Sequence, residues 1–212
     1  MDSLIRTAAR TLEAGDPLGA LNWVALRGDA PALALRGIAL ARLGDLVRAK
    51  VLMRSAARAA FGPKEAVARA RCVVAEAEIA LASRELSWPA KALDAARASL
   101  EEHGDRVNAA YARFLEVRRL LLIGRLDEAE QMLGELDPAI FSPASRAAHE
   151  LVVAGIAMRR LRTKTARAAL ARAEKAARRA GILALIAEVE NASLVLDTPA
   201  AAVGMSLLLP TN

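Results

Sequence analysis

A glycine, four residues and an alanine form the centre of the segment ALARLGDLVRAKVLMRSAARA, Ala39 to Ala59, and that spacing recurs along the chain. Gly15 to Ala20 reads GDPLGA, Gly44 to Ala49 reads GDLVRA and Gly124 to Ala129 reads GRLDEA. Two looser copies, ELSWPA ending at Ala90 and LRTKTA ending at Ala166, place the alanines at 20, 49, 90, 129 and 166, in steps of 29, 41, 39 and 37 residues. A glycine accepts the left-handed conformation that stops a helix. Polar or turn-forming residues then reverse the chain, and the alanine enters the next helix where a larger side chain would push its partner away. Steps of this size predict a stack of helix pairs.

Composition agrees with helices rather than strands. Apolar residues make up 55% of the 212 residues, enough for a sizeable core, yet aromatics are only 3%. A core of alanine, leucine and valine suits thin, closely spaced helices, whereas strands select β-branched and aromatic residues. No segment alternates with period two. Punctuation cuts the chain into about eleven amphipathic helices, near 3–14, 17–27, 31–43, 46–61, 64–83, 89–103, 106–123, 127–136, 143–161, 165–180 and 182–196. Asp16-Pro17, Asp29 with Pro31, Asp45, Asp105 and Ser142-Pro143 are helix starts; Gly15, Gly28, Gly44, Gly62, Gly104, Gly124 and Gly181 are stops. The longer joint Leu136–Ser145 has equal helical character on both sides, so one repeat domain is expected over 1–196, followed by a tail, 197–212, that reads as the start of something truncated.

The residues around these junctions resemble the tetratricopeptide repeat, which carries a small residue at its eighth position, glycine at the fifteenth and alanine at the twentieth. Leu33, Gly37, Leu40, Gly44, Leu46, Ala49 and Met53 match that frame, and Leu120, Gly124, Leu126, Ala129 and Leu133 match its second half. Arg113 and Val117 depart from it, and the repeats exceed 34 residues, as in the sensor regions of bacterial maltose-activator-type helix-turn-helix regulators, which the chain also resembles. The resemblance implies an all-α, right-handed solenoid of about five antiparallel helix pairs plus a closing helix. It also implies a concave groove lined by the first helix of each pair. Carried over position by position, the groove residues are Arg42, Tyr111, Phe114, Arg118, Leu121, Leu122, Met158 and Arg159. An aromatic pair beside arginines suits an extended peptide, a protein partner or a small anionic ligand, because a guanidinium makes forked contacts to carboxylate or phosphate. The plainer alternative has Tyr111 and Phe114 filling core gaps and the arginines solvated.

Charge offers a second candidate surface. The net charge is +6, and Arg159–Arg179 holds nine basic residues against one acidic, Glu174. Lys164, Arg167, Lys175, Arg178 and Arg179 spread over roughly 140° of one helix at 100° per residue. Such a stripe reaches phosphates or an acidic partner if it is more than solvated surface. No aromatic is interleaved with it, so a solvated face is the plainer reading, and the resemblance to the regulators implies DNA contact only through a missing or separate domain.

Catalytic patterns are sparse. The chain contains no Gly-x-Gly, no phosphate-binding glycine loop with Lys-Ser or Lys-Thr, and no Gly-x-Ser-x-Gly. The single cysteine, Cys72, reads as a buried thiol and excludes an intramolecular disulfide. His103 fits a helix end, His149 a packing position. Glu76 and Glu78 point about 200° apart on one helix and cannot share a proton or metal there. Glu128 and Glu130 meet the positive end of a helix dipole. Trp88 before Pro89 reads as a staple at a helix entry. No cofactor, no metal and no membrane span are expected, and the cytoplasm is the expected compartment. The expected function is a non-enzymatic interaction module, the sensing region of a bacterial transcriptional regulator; a free-standing scaffold is the alternative. An enzyme built on Glu76, His149 or Tyr111 has no supporting constellation.

Overall fold

Helices one, three, five, seven and nine stop on the same backbone device. In the computed structural model, which describes residues 3–59, 65–86 and 90–198, the helices are α1 (Ser3–Glu13), α2 (Pro17–Val24), α3 (Ala30–Arg42), α4 (Leu46–Arg58), α5 (Ala66–Ala82), α6 (Ala90–Glu102), α7 (Arg106–Leu122), α8 (Leu126–Gly134), α9 (Pro143–Arg159), α10 (Thr163–Ala180) and α11 (Leu183–Asp197), with one 3₁₀ turn at Pro138–Ile140. Two residues beyond the ends of α1, α3, α5, α7 and α9 the chain turns left-handed, at Gly15, Gly44, Arg84, Gly124 and Leu161. Around each, the next amide reaches back to a carbonyl of the last helical turn, as Asp45 N to Leu40 O (3.0 Å), Glu85 N to Ala80 O (2.8 Å) and Arg162 N to Ala157 O (2.8 Å). This closes the orphan carbonyls of the helix end. Arg84 (φ 54°) and Leu161 (φ 56°) do without glycine what the other three do with it. Gly28, expected as a stop, does not adopt the left-handed conformation; α2 ends earlier, at Val24.

The helix starts divide in the same way. Asp16 accepts from Gly19 N (2.8 Å), Asp45 from Arg48 N (3.0 Å), Asp105 from Asn108 N (3.4 Å) and Ser142 from Ser145 N (3.2 Å). Each satisfies one of the free amides of a first turn. Asp29 instead faces Arg27, whose Nε and Nη2 donate to its two oxygens at 2.7 and 2.9 Å, and makes no side-chain cap.

Among the described residues the chain is all-helical, with no strand, and it divides into two compact units, Met1–Met132 and Leu133–Asn212. The border falls within α8, shortly before the Leu136–Ser145 joint.

In the first unit each helix from α1 to α7 packs on the next, and α1 also meets α3, α3 meets α5 and α5 meets α7. Substantial contacts among the described residues go no further along the chain than this. Consecutive partners joined by three-residue connectors run antiparallel, and the odd-numbered helices form a continuous layer. Small side chains make this close stacking feasible. Ala20 and Ala49 are fully buried, and Gly37 sits where a β-carbon would lie 2.7 Å from Met53 Sδ and 3.2 Å from the Ala49 carbonyl oxygen.

One alanine of the expected series is displaced. The fourth residue of each second helix is Ala20, Ala49, Leu93, Ala129 and Ala166, and all five are buried; Ala90 opens α6 and is half-buried. The reason lies in the spacing: α5 ends at Ala82 and α6 opens at Ala90, whereas the helices of the other pairs are joined by three residues. The first helices α3, α5 and α7 end at 42, 82 and 122, a register of 40 residues, in which Ala32, Cys72 and Ala112, and likewise Gly37, Ala77 and the larger Val117, are equivalent buried residues.

The second unit packs α9 on α10, α10 on α11 and α11 back on α9. Its core is alanine-rich: Ala147, Ala173 and Ala177 are fully buried beside Val189, and Ala154 and Ala169 beside Leu170. Trp88, Pro89, Phe61, Gly62 and the segment from Pro199 onward lie outside the described residues, so the expectations placed on them concern chain that is not described.

Candidate functional site

The odd-helix layer of the first unit brings four polar side chains together. Tyr111 lies in the second turn of α7, half-buried, and its hydroxyl donates to Glu78 Oε1 on α5 at 2.6 Å. Arg118 follows Tyr111 by seven residues, two turns along the same face of α7. Arg42 is the last residue of α3; its guanidinium donates to the Leu12 carbonyl oxygen at the end of α1. Both arginines stand close enough to act electrostatically on the Tyr111 hydroxyl.

Tyr111 itself records the balance of these charges. Burial pushes its phenol well above the ordinary value, the Glu78 carboxylate adds to that by charge and by hydrogen bond, and Arg118 and Arg42 pull partly the other way. The tyrosine thus remains a donor that holds Glu78 in place. Arg118 is half-buried and makes no hydrogen bond or ion pair among the described residues. With Glu78 engaged by the phenol, the group carries a net positive charge.

Beside it lies an apolar cleft of about 210 Å³, between α3, the start of α4 and α5. Ile38, Ala41, Leu46, Ala75, Ile79 and Ala82 line it, with Arg42 at one edge and Glu78 at another. The helix ends that position these residues are pinned independently. Lys50 on α4 forms an ion pair with Glu85 in the connector after α5, which holds that carboxyl below its usual range through the hydrogen bond from Lys50. At the other end, Arg71 Nε donates to Asp105 Oδ2 at 2.7 Å, tying α5 to the cap of α7. Burial alone would raise the Asp105 carboxyl, but the hydrogen bonds from Arg71 and Asn108 outweigh it and hold it low.

The expected groove residues fall into three groups. Arg42, Tyr111 and Arg118 come together. Phe114 does not join them: it is 0% exposed and packs in the interior, its ring centroid 6.1 Å from that of Tyr111. Leu121 is half-buried and Leu122 exposed, on the last turn of α7. Met158 and Arg159 belong to the end of α9 in the second unit, half-buried and exposed respectively. Glu78, read from the sequence only against Glu76, is the member missing from the expected groove set. The alanine frame anchored on Ala90 assigns it the small-residue position, whereas the 40-residue register gives that position to Ala77 and makes Glu78 the equivalent of Arg118 and Ile38. One residue of slip turns a helical position by about 100°.

The basic helix α10 is sorted by its partners. Arg167 pairs with Asp197 (3.0 Å), Arg178 with Glu174 (2.6 Å), and Arg172 with the buried Glu150 (2.9 Å, an ion pair without hydrogen-bond alignment). Lys164, Lys175 and Arg179 are exposed and make no ion pair among the described residues. Glu76 is engaged by Arg54 Nε at 2.7 Å, away from Glu78. His103 places Nδ1 2.7 Å from the Ser99 carbonyl oxygen at the end of α6. His149 is buried against Phe141 in the second unit, and burial lowers its pKa against the opposing pull of Glu150 and with the help of Arg172. No group of three or more histidine, cysteine, aspartate or glutamate side chains among the described residues is placed to hold a metal ion, and no helix among them is long and apolar enough to cross a membrane.

Comparison with protein-family models, with curated proteins and with solved structures returns no match.

Proposed function

We propose that the chain is a non-enzymatic helical-repeat interaction module whose first unit, a stack of antiparallel helix pairs, binds a peptide or protein partner on the face made by α3, α5 and α7. The observation that carries this reading is the convergence of Arg42, Glu78, Tyr111 and Arg118, from three successive first helices, beside an apolar cleft. Forked donors next to an apolar surface recognise a chain with acidic and apolar side chains; they do not by themselves provide a nucleophile or a proton shuttle. The resemblance to regulator sensor regions extends the proposal: partner binding on this face controls an attached or associated DNA-binding unit in the cytoplasm of a bacterium.

Selection from a random peptide display library on the full chain tests the binding reading, followed by titration of the winners against Arg118→Gln and, as a distant control, Lys175→Gln. Ligands that lose affinity with Arg118→Gln and keep it with Lys175→Gln are expected. Failure to select any ligand, or equal loss with both, refutes the assignment. Transcript profiling of cells carrying the Arg118→Gln gene tests the regulator part; an unchanged transcript set in cells where partner binding is lost leaves a scaffold.

A further inference from the structure

The cleft is too small for most whole ligands. Small-molecule and cofactor sites enclose roughly 300–1,000 Å³, and about 210 Å³ is available here, bounded by aliphatic side chains. A single apolar side chain of a partner fits that space and its aliphatic walls; a nucleotide is too large for it, and the lining offers the hydroxyls of a sugar few polar partners. The polar groups at its edge are of two kinds: donors on Arg42 and an acceptor on Glu78, whose Oε1 already holds the Tyr111 hydroxyl. An extended backbone offers both complements, a carbonyl oxygen and an amide, on either side of an inserted side chain.

The second feature is Arg118. A half-buried guanidinium with no hydrogen bond or ion pair among the described residues, on the same face as Tyr111, favours an anion brought by the partner. Its distance from the cleft follows from the helix stack. Arg118 is on α7 and the cleft wall nearest to it is α5. Packed helix axes lie roughly 8–10 Å apart, and an extended chain advances about 3.3 Å per residue. The anchor sits about half a spacing beyond that wall, and the length of the arginine side chain makes up the difference, so an anion held by Arg118 sits two to three residues from the anchor.

Building on the interaction-module reading, we infer that this face recognises an internal linear motif of extended peptide: an aliphatic residue seated between α3 and α5, and an aspartate or glutamate two to three positions away held by Arg118. The acidic group is a side chain, so a blocked C-terminus does not matter. Charge complementarity selects the acid, since the site has two arginines and one carboxylate that is already engaged.

The test uses C-terminally amidated Gly/Ser decapeptides, each with one leucine and one glutamate separated by zero to six residues in both orders. They are titrated to millimolar concentration into the isotope-labelled full chain and followed by amide chemical shifts. The largest shifts are expected for spacings of two or three, at residues around Ala75, Glu78 and Arg118. Replacing the peptide glutamate by glutamine, or its leucine by serine, is expected to weaken binding by about tenfold or more. In Arg118→Gln, whose helicity and melting are checked by circular dichroism, glutamate and glutamine peptides should bind alike. A flat dependence on spacing, equal binding of glutamate and glutamine peptides to the unaltered chain, discrimination that survives Arg118→Gln, or no shift with any peptide overturns the inference. Library-selected ligands that bind this face without the apolar–acidic pair would leave the module reading standing while this one falls; if neither library nor panel gives a ligand, both fall.

Discussion

Three glycine exchanges isolate the backbone device that ends the helices. A β-carbon added at Gly28 or at Gly124 meets nothing within 4 Å, so packing drops out of the comparison. The two differ in conformation: Gly124 has φ +82°, while Gly28 is not left-handed. Alanine restricts the unfolded chain, a gain of about 0.4–1 kcal/mol where the native backbone tolerates it. In the left-handed region a β-carbon costs roughly 1–2 kcal/mol. Gly28→Ala should therefore stabilise by about 0.5 kcal/mol and Gly124→Ala destabilise by about 1 kcal/mol. Leu161→Gly runs the exchange in reverse. Leu161 is 89% exposed, so removing its side chain forfeits only about 0.2 kcal/mol of burial. Relief of the left-handed strain, about 1–2 kcal/mol, exceeds that loss plus the roughly 0.5–1 kcal/mol of chain entropy that glycine adds. A net stabilisation of about 0.5 kcal/mol is expected. Urea melts followed by circular dichroism at 222 nm, with unchanged slope, read all three. Gly124→Ala as stable as the parent, or Leu161→Gly less stable than it, would refute the claim that these positions set the helix ends.

Other perturbations probe packing and titration. Gly37→Ala, although alanine is the better helix former, is expected to destabilise by about 1–3 kcal/mol through overpacking, because the new β-carbon would meet Met53 Sδ at 2.7 Å and the Ala49 carbonyl at 3.2 Å; a double-mutant cycle with Met53→Ala should show a coupling that a purely local backbone effect would not. Burial pushes the Cys72 thiol up to about 11, so an aromatic disulfide reagent at pH 8 should label the native chain far more slowly than the urea-unfolded chain, and equal rates would contradict its enclosure. The chain's single tyrosine makes the ultraviolet phenolate signal specific for Tyr111. Because its folded pKa is raised above the ordinary value near 10, its contribution to stability is intact below about pH 10 and is lost as pH rises beyond it. Native titration should lie above that of the unfolded chain, and Tyr111→Phe should remove this part of the alkaline destabilisation.

Legibility in the sequence followed the physics of each signal. Helix ends are local: Asp45 or Gly44 acts within four residues, so caps and stops could be placed from the string alone, and Arg84 and Leu161 were hidden because nothing in an arginine or leucine announces a left-handed backbone. Partner choice is non-local. Asp29 could cap α3 or pair with Arg27, and only the assembled geometry decides for the ion pair. Phe114 shows the same limit: carried over from the repeat frame it faces a groove, while the packing of α7 encloses it completely.

The 40-residue register of α3, α5 and α7 separates two kinds of position. At the close crossings the equivalent residues are buried, uncharged and, Val117 apart, small: alanine, cysteine and alanine at 32, 72 and 112; glycine, alanine and valine at 37, 77 and 117. Their size is constrained by the neighbouring helix. One step further round, the equivalents are Ile38, Glu78 and Arg118, apolar, acidic and basic, all half-buried. Nothing in the stacking requires three such different side chains, and a helix pair that only had to pack would gain nothing from a half-buried arginine without an ion-pair partner among the described residues. The same backbone register thus carries a packing alphabet at one position and a recognition alphabet at the next. Exchanging Glu78 and Arg118 tests this distinction: the double variant keeps both charges on the layer and should keep most of the thermal stability, yet it separates the acceptor from Tyr111 and moves the cation to α5 beside the cleft. A shift of the preferred apolar–acidic spacing toward shorter values would follow from the geometry, and an unchanged preference would show that these side chains do not set it.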